Sequence, residues 1–188
     1  MSSHPTGTAT HLVVMGVSGS GKTTLAKKLS ERLGLPYAEA DEFHPQANID
    51  KMSRGVALTD EDRWPWLREM RDWMSAKAHD DDARGSVVTC SALKHSYRDL
   101  LREADGVVLF LHVDCDPEVL TERITARSDH FMPPSLLPSQ LKTLEPLAAD
   151  EAGARILNDG TIEDLVDRAL AVIDDHTQNN HRASAQSA

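Results

Sequence analysis

Short, nearly continuous apolar runs recur along the chain, separated by longer segments with helical spacing. The runs HLVVM (11–15), SVVTC (86–90) and GVVLFLHV (106–113) are rich in β-branched residues. Strands of this kind are usually buried on both faces of a parallel sheet. Weaker strand signals lie at LPYAEA (35–40) and ARIL (154–157). The pattern therefore predicts a mostly five-stranded parallel sheet.

The segments between these runs have the spacing of helices. Leucines recur every fourth residue from 25 to 33, and Gly34 follows them as a C-terminal cap. A second helix is predicted to start at an Asp60 N-cap and to continue to about Lys77. Three more are predicted at KHSYRDLLREA (94–104), DPEVLTERITAR (116–127) and TIEDLVDRALAVI (161–173), the last capped by Thr161.

This alternation of strands and helices indicates the α/β class, a doubly wound sheet with helices on both faces. No internal repeat and no linker rich in Pro, Gly or Ser divides the chain, so a single domain is predicted over 11–175. The flanking segments 1–10 and 176–188 are polar and aperiodic, and they are predicted to be disordered tails.

Composition and charge narrow the possible functions. Of the 188 residues, 40% are hydrophobic and 27% charged, as in globular proteins. Acidic residues outnumber basic ones by 30 to 20, and the net charge of −10 argues against a nucleic-acid-binding protein. Cys90 and Cys115 have no C-x-x-C spacing, so neither a disulfide framework nor a structural zinc site is expected. Without a signal peptide or an apolar run of about 20 residues, a cytoplasmic protein with no membrane contact is expected.

The segment GVSGSGKTTL (16–25) links the first predicted strand to the first helix and matches G-x-x-x-x-G-K-[ST] in full. Its glycines let successive backbone N–H groups point at phosphate oxygens, and the helix N-terminus adds its positive dipole. Lys22 is predicted to reach the β and γ phosphates, and the Thr23 hydroxyl to bind Mg²⁺. The loop thus predicts an ATP or GTP site formed by Gly16, Ser18, Gly19, Ser20, Gly21, Lys22, Thr23 and Thr24.

Two classes of nucleotide-binding protein compete for this loop: a small-molecule kinase, and a nucleotide-driven switch or motor. A GTPase needs a guanine-reading N-K-x-D motif, which the chain lacks, and a strand that ends in an acid. Here the strand SVVTC leads into SAL instead. A kinase needs an acceptor pocket, an acid near the acceptor hydroxyl and a mobile lid that carries arginine. The chain has candidates for all three.

The candidate acid lies in EADEFHPQAN, after the second predicted strand. In a parallel sheet the carboxyl end of that strand lies at the same edge as the phosphate loop. Asp41 and His44 could therefore meet an acceptor hydroxyl there, with Asp41 orienting it or accepting its proton. An N-cap aspartate and a surface histidine would explain the same two residues.

The candidate lid follows the fourth predicted strand. Arg123 and Arg127 share one face of a helix and precede the Pro-rich segment SDHFMPPSLLP. Two guanidinium groups on one face can neutralise charge on a transferring phosphoryl group. We therefore interpret them as lid arginines, the alternative being surface pairs with Glu118 or Glu122.

Five blocks of the chain resemble, in order, the signature blocks of gluconokinases and together span about residues 11–175. They are GVSGSGKTT, ADEFHPQANIDKMSRGVALTDEDRWPWL, CSALKHSYRDLLR, HFMPP and SQLKTLEPL. Gluconokinases are small P-loop kinases similar in fold to shikimate and nucleoside-monophosphate kinases. The resemblance implies in-line transfer of the γ-phosphoryl group of MgATP to the terminal hydroxyl of D-gluconate, giving 6-phospho-D-gluconate. It also implies a homodimer.

The resemblance extends to individual residues. Asp41 matches the family's acid at the acceptor hydroxyl, and Arg63 is expected to bind the acceptor carboxylate through its planar fork. Glu39 stands where related kinases often carry an aspartate, and the lid is expected at about 123–138. The implied catalytic residues are Lys22, Asp41, Arg123 and Arg127, and the implied substrate-binding residues are Asp41, His44, Asn48, Lys51, Arg63, Lys94, Arg98, His130 and Gln140.

Two alternatives stay open on the sequence. Lys94, Tyr97 and Arg98, just after the third predicted strand, are expected to face the cleft, unless they serve in capping and packing. The residues alone predict a P-loop kinase of a small polar acceptor. Another hydroxy acid of the shikimate type, or a nucleotide-dependent regulatory protein, would also be compatible with them.

Overall fold

The computed structural model describes residues 8–82, 84–126 and 133–186. Its centre is a sheet of five strands in the order β2-β3-β1-β4-β5, with every neighbouring pair parallel. The predicted α/β class and five-stranded parallel sheet are therefore confirmed. The strands are β1 (Thr10–Met15), β2 (Tyr37–Glu39), β3 (Gly85–Cys90), β4 (Val107–Asp114) and β5 (Gly153–Leu157).

The central strands β1, β3 and β4 are the three long apolar runs of the sequence. In the middle of the sheet Val13 pairs with Val88 on one side and with Phe110 on the other, and all three are fully buried. Their side chains are covered from both faces, which is why these strands lack alternation of apolar and polar residues.

Helices cover both faces of the sheet. On one face α1 and α7 pack Leu25, Leu29 and Leu165 against the strands, and on the other α3 and α4 contribute Met70 and Tyr97. The helices are α1 (Lys22–Leu33), α2 (Gln46–Ser53), α3 (Asp60–Ala78), α4 (His95–Leu101), α5 (Pro117–Ala126), α6 (Leu137–Thr143) and α7 (Ile162–Gln186), with 3₁₀ turns at Ala40–Phe43 and Pro134–Leu136. Helices α2 and α6 are not among those predicted from the spacing.

The predicted helix caps agree with the structure at α1 and α7 but not at α3. Gly34 ends α1 in the left-handed conformation with φ of 64°, and Thr161 accepts a hydrogen bond from the Asp164 N–H at 3.1 Å. The predicted Asp60 cap of α3 is wrong, because the preceding Thr59 accepts from the Asp62 N–H at 3.2 Å. The Asp62 carboxylate accepts in turn from the Thr59 N–H at 2.8 Å, which completes a capping box.

The C-terminal segment differs from its prediction. Helix α7 continues to Gln186, so residues 176–186 are helical and the predicted tail is wrong for them. Its first half is anchored by buried Leu165, Val166 and Ala169, and the helix then continues through mostly exposed and mostly polar residues. A bond of 3.0 Å between His176 and Asn180 supports that polar half.

The predicted lid and the expected lack of membrane contact can each be compared with the described residues. The predicted lid at 123–138 is described only in part, because Arg127 and His130 lie outside the described residues. Within the described ranges, none of the helices is both long enough and apolar enough to cross a membrane.

Candidate active site

The phosphate loop lies at the carboxyl end of β1 and leads directly into α1. Gly16 has φ of 142°, and a Cβ there would lie 2.6 Å from the carbonyl oxygen of Val113. Gly21, with φ of 103°, precedes the first residue of α1 and has no side chain to cap the helix. Backbone N–H groups at the start of α1 are therefore presented to a ligand rather than to a cap, as an anion site requires.

One contact within the loop and three from distant parts of the chain hold the loop in shape. The Lys22 ammonium donates to the carbonyl oxygen of Val17 at 2.8 Å, and the Ser18 N–H donates to the Gln140 side chain at 2.8 Å. The Asn158 amide, at the end of β5, donates to the Ser20 carbonyl oxygen at 2.9 Å. Arg123 of α5 donates to the carbonyl oxygen of Gly19 at 3.3 Å. The loop is thus connected to α5, to α6 and to the segment after β5.

Thr23, Thr24 and Ser20 differ in their accessibility to a ligand. Thr23 lines the cleft beside Lys22, whereas Thr24 is exposed on α1. The Ser20 hydroxyl is buried and has no hydrogen-bond partner among the described residues. Of these three, Thr23 carries the hydroxyl that lies on the cleft wall.

The opposite wall of the cleft is formed by residues that follow β2 and begin α3. Asp41 and His44 lie in and just after the 3₁₀ turn at Ala40–Phe43, and Arg63 lies in the first turn of α3. All three line one cleft together with the phosphate loop. The structure therefore brings together nine of the predicted site residues in this cleft: Ser18, Gly19, Gly21, Lys22, Thr23, Asp41, His44, Arg63 and Gln140.

His44 is held as a neutral ring. Its imidazole stacks on the indole of Trp66, with ring centroids 4.2 Å apart and planes 12° apart. The Nδ1 atom lies 3.4 Å from the side-chain amide nitrogen of Asn48. Burial lowers the pKa of His44 to about 4, and the neighbouring Asp41 only partly opposes this effect. At neutral pH the ring therefore offers hydrogen bonds rather than a positive charge.

Arg63 is fixed by a network at the mouth of the cleft. Its Nη1 donates to the carbonyl oxygen of Leu58 at 2.7 Å and to the Tyr97 hydroxyl at 3.0 Å. Tyr97 donates in turn to the Asp60 carboxylate, which also accepts from the Lys94 ammonium at 3.0 Å. The hydrogen bonds from Tyr97 and Lys94 lower the pKa of Asp60, so this carboxylate stays ionised.

Lys51, Asn48 and Lys94 bind to protein groups beside the cleft. Lys51 forms an ion pair with Asp62 at 2.6 Å, which lowers the pKa of Asp62 to about 2. The buried Asn48 donates to the carbonyl oxygen of Asp62 at 2.9 Å and so connects α2 to α3. Lys94 is bound to Asp60, as described above. The bonds of these three residues connect α2 and the start of α4 to the first turn of α3.

The prediction that Arg98 faces the cleft is wrong. Its side chain is completely buried and forms an ion pair with the equally buried Glu151, with Nε to Oε1 at 2.6 Å. Its Nη1 donates to the carbonyl oxygen of Ala92 at 2.8 Å, a residue with the unusual φ of 44°. Arg98 therefore stabilises the turn after β3 from inside the protein.

Sequence reasoning missed several polar residues of the cleft. Thr89 and Ser91, at the carboxyl end of β3, line it, and Thr89 donates to the Glu39 carboxylate at 2.9 Å. Glu39 also accepts from the Tyr37 hydroxyl and is thus held at the end of β2. Their position in the sequence could have revealed them, because ligands bind at the carboxyl ends of the strands in parallel sheets. Cys90, also in the wall, has its pKa raised to about 12 by burial and is no nucleophile.

Comparisons with known proteins agree with this geometry. A family model described as an AAA domain matches residues 12–132. A gluconokinase of Gluconobacter oxydans is 48% identical over 159 residues, which cover 82% of this chain and 88% of that protein. The chain belongs to the gluconokinase family. The resemblance carried by the five sequence blocks is therefore confirmed.

Other gluconokinases and their structures support the same family. The thermoresistant gluconokinase of Escherichia coli is 38% identical, covering 86% of this chain and 91% of that protein. The structure of a gluconokinase from Sinorhizobium meliloti matches with a TM-score of 0.82 at 41% identity, over 93% of this chain and 97% of that one. The APS kinase of Mycobacterium tuberculosis, at 16% identity and a TM-score of 0.63 over 89% of this chain and 98% of that one, shares only the fold.

Proposed function

We propose that the protein transfers the γ-phosphoryl group of ATP to the terminal hydroxyl of D-gluconate. The observation that carries this proposal is the cleft in which the phosphate loop faces Asp41, His44 and Arg63. A phosphate donor and a small polar acceptor can meet there with the reacting groups in line. Because the chain belongs to the gluconokinase family, we propose D-gluconate as the acceptor.

On the donor side, Lys22 and the N–H groups of the loop would bind the β and γ phosphates. The Lys22 ammonium donates to the Val17 carbonyl oxygen inside the loop, which supports its assignment to the phosphate-binding loop. Arg123, bonded to Gly19, would add positive charge beside the loop. Such groups lower the barrier by stabilising charge that spreads over the transferring phosphoryl group.

On the acceptor side, Asp41 would align the terminal hydroxyl and accept its proton. The neutral His44 ring would hydrogen-bond a hydroxyl of the chain, and Arg63 would bind the carboxylate at the far end. A sugar acid has these same features, a carboxylate at one end and a nucleophilic hydroxyl at the other. Hydroxyls that found no partner in such a site would be costly to bury, which gives the site its selectivity. Arg127 and His130 stay predictions of lid residues.

Mg²⁺ fits the donor atoms on the cleft walls. Thr23, Asp41 and Glu39 line the cleft and carry side-chain oxygen atoms, and oxygen is the ligand that Mg²⁺ prefers. Among the described residues no group of three His, Cys, Asp or Glu side chains could hold a metal by itself. Magnesium in kinases is usually held by one or two protein oxygens together with substrate phosphates, so Thr23 would hold it here. The ion would neutralise charge on the phosphates.

The test is ADP release by the purified protein with Mg²⁺ and ATP, with and without D-gluconate. Shikimate and other sugar acids serve as control acceptors, and the product is identified by mass spectrometry. We expect turnover that depends on gluconate and yields 6-phospho-D-gluconate. ATP binding without turnover on any of these acceptors would contradict the proposal.

Two further parts of the proposal concern the protein's setting. By its family the protein is proposed to be a cytoplasmic homodimer that contacts neither membrane nor nucleic acid. The net charge of −10 supports the last part, because phosphate backbones repel such a protein. Light scattering coupled to size exclusion would test the dimer, and a monomer mass at micromolar concentration would contradict it.

A further inference from the structure

The hydrogen bonds of Arg63 occupy one side of its guanidinium group. Nη1 carries two hydrogens, and both are used, one on the carbonyl oxygen of Leu58 and one on the Tyr97 hydroxyl. In the part of the chain that the structure describes, Nε and Nη2 of Arg63 make no hydrogen bond. These two nitrogens form one edge of the planar group, with parallel N–H bonds that fit a carboxylate.

Arg98, in the neighbouring helix α4, shows what such an edge binds in this protein. Its Nη1 likewise donates to two oxygens, the carbonyl groups of Ala92 and Leu93. Its Nε and Nη2 bind the two carboxylate oxygens of Glu151 at 2.6 and 3.0 Å. Arg98 and Arg63 thus share the same bonding pattern on Nη1. They differ in that Arg98 has an internal carboxylate on its other edge, whereas Arg63 lines the cleft.

The orientation of Arg63 depends on a chain of bonds that ends at Asp60. Tyr97 can accept from Arg63 only while its own proton is directed elsewhere, and that proton is donated to Asp60. Lys94 also binds the Asp60 carboxylate, with Nζ 3.0 Å from Oδ1, the oxygen that accepts from Tyr97, and 3.3 Å from Oδ2. The Arg63 guanidinium carbon also lies 5.3 Å from the centre of the Tyr97 ring. Tyr97 therefore contacts Arg63 through both its hydroxyl and its ring.

We infer that Tyr97 and Asp60 are positioning residues that turn the Nε–Nη2 edge of Arg63 toward the carboxylate of the acceptor. This inference rests on the proposed function and adds a mode of recognition to it. The acceptor carboxylate takes the place at Arg63 that Glu151 takes at Arg98. Tyr97 and Asp60 do not touch the acceptor, and they act on its binding through Arg63.

The test is a double-mutant cycle on gluconate at saturating MgATP, with Tyr97→Phe, Arg63→Ala and the double variant. Phenylalanine keeps the ring and its edge-to-face contact with Trp64, so only the hydroxyl is lost. We expect Tyr97→Phe to raise KM for gluconate about fivefold, the effect of one hydrogen bond, with kcat unchanged. In the Arg63→Ala background the same change should leave kcat/KM unaltered.

A second variant tests the same chain of hydrogen bonds, and a control variant shows whether a loss of stability by itself changes the kinetic constants. Asp60→Asn keeps an acceptor for Tyr97 but loses the charge that holds Lys94, and we expect a smaller rise in KM of about twofold, again absent in Arg63→Ala. Ser86→Ala removes a buried hydroxyl bonded to His11 at 2.8 Å, at the opposite end of the sheet. We expect that control to lower stability and to leave both kinetic constants unchanged.

The outcomes separate the inference from the function on which it rests. Equal losses from Tyr97→Phe in both backgrounds, or a lower kcat at unchanged KM, would overturn the positioning role while gluconate turnover stands. Absence of gluconate turnover by the unmodified protein would overturn both. A loss confined to KM and present only with Arg63 would support the inference.

Discussion

Lys22 is the residue of the phosphate loop that we propose to bind the β and γ phosphates. It begins α1, and its ammonium crosses the phosphate loop to the carbonyl oxygen of Val17 at 2.8 Å. We predict that Lys22→Ala lowers kcat about 10²–10³-fold, because one preorganised charge at the transferring group is lost. Steady-state kinetics with gluconate would measure it. Lys28→Ala, on the exposed side of the same helix, is the control and should retain full activity. A Lys22→Ala variant with more than a tenth of the normal kcat would contradict the role.

Asp41 allows an equally local test on the acceptor side. Asparagine has almost the same shape as aspartate but cannot accept the proton of the acceptor hydroxyl. We predict that Asp41→Asn lowers kcat about 10²-fold or more with little change in KM for gluconate. Glu42→Gln, the neighbouring exposed residue in the same 3₁₀ turn, is the matched control. If both variants lost activity equally, local structure rather than proton transfer would be the cause.

For individual residues, the sequence predicted which of them lie near the cleft better than it predicted the bonds that their side chains form. Arg63 and Arg98 are both arginines near a helix start, and the sequence does not distinguish them. The partner of Arg98, Glu151, lies 53 residues away, so its burial follows only from the tertiary fold. The pair Lys51 and Asp62 is similar, since only the packing of α2 on α3 brings these residues together.

Helix α4 owes its position to the buried pair of Arg98 and Glu151. Both side chains are fully buried, and Arg98 also donates to the carbonyl oxygens of Ala92, Leu93 and Pro146. Removing one partner of such a pair leaves an uncompensated buried charge. We predict that Glu151→Ala lowers the free energy of unfolding by about 3–5 kcal/mol, measured by urea denaturation.

A surface pair provides the comparison for that prediction. Glu103 forms an exposed ion pair with Arg71 at 2.9 Å, and Glu103→Ala should cost about 1 kcal/mol or less. Similar losses for both variants would mean that the buried charge is compensated by some other group, and our account of α4 would be wrong.

The elements with strong apolar patterns were predicted well and those without were not. The predicted and observed bounds of the central strands agree within one residue at each end, because burial on both faces requires a continuous run of apolar residues. Helix α2 was missed because only Asn48 and Met52 are buried in its eight residues. The far half of α7 was missed for the opposite reason, since a helix already anchored at Leu165 can continue through polar residues without burying them.

The whole molecule should lose stability in mild acid. Burial lowers the pKa of His11, His44 and His112 below the ordinary 6.5, so the folded protein keeps these rings neutral where the unfolded chain binds protons. Stability is therefore complete above pH 6.5 and falls as the pH drops below it, by up to about 1.4 kcal/mol per pH unit for each proton. Urea denaturation between pH 7.5 and 5 would measure the slope, in a range where carboxylates are still ionised.

His112 provides the variant for this test. Its Nδ1 is buried without a hydrogen-bond partner among the described residues, so His112→Leu removes a proton site at little polar cost. We expect this variant to flatten the slope. His181→Leu, in the exposed half of α7, should leave it as it is. An unchanged slope for His112→Leu would exclude that ring as a source of the acid sensitivity.

The two walls of the cleft come from separate stretches of the chain. The donor wall is the loop between β1 and α1, whereas Asp41, His44 and Arg63 all belong to the single stretch of residues 40–63 between β2 and the first turn of α3. An engineer could therefore exchange that stretch, together with Lys94 and Tyr97 that hold Asp60 and Arg63, to admit a new acceptor and leave the phosphate loop untouched.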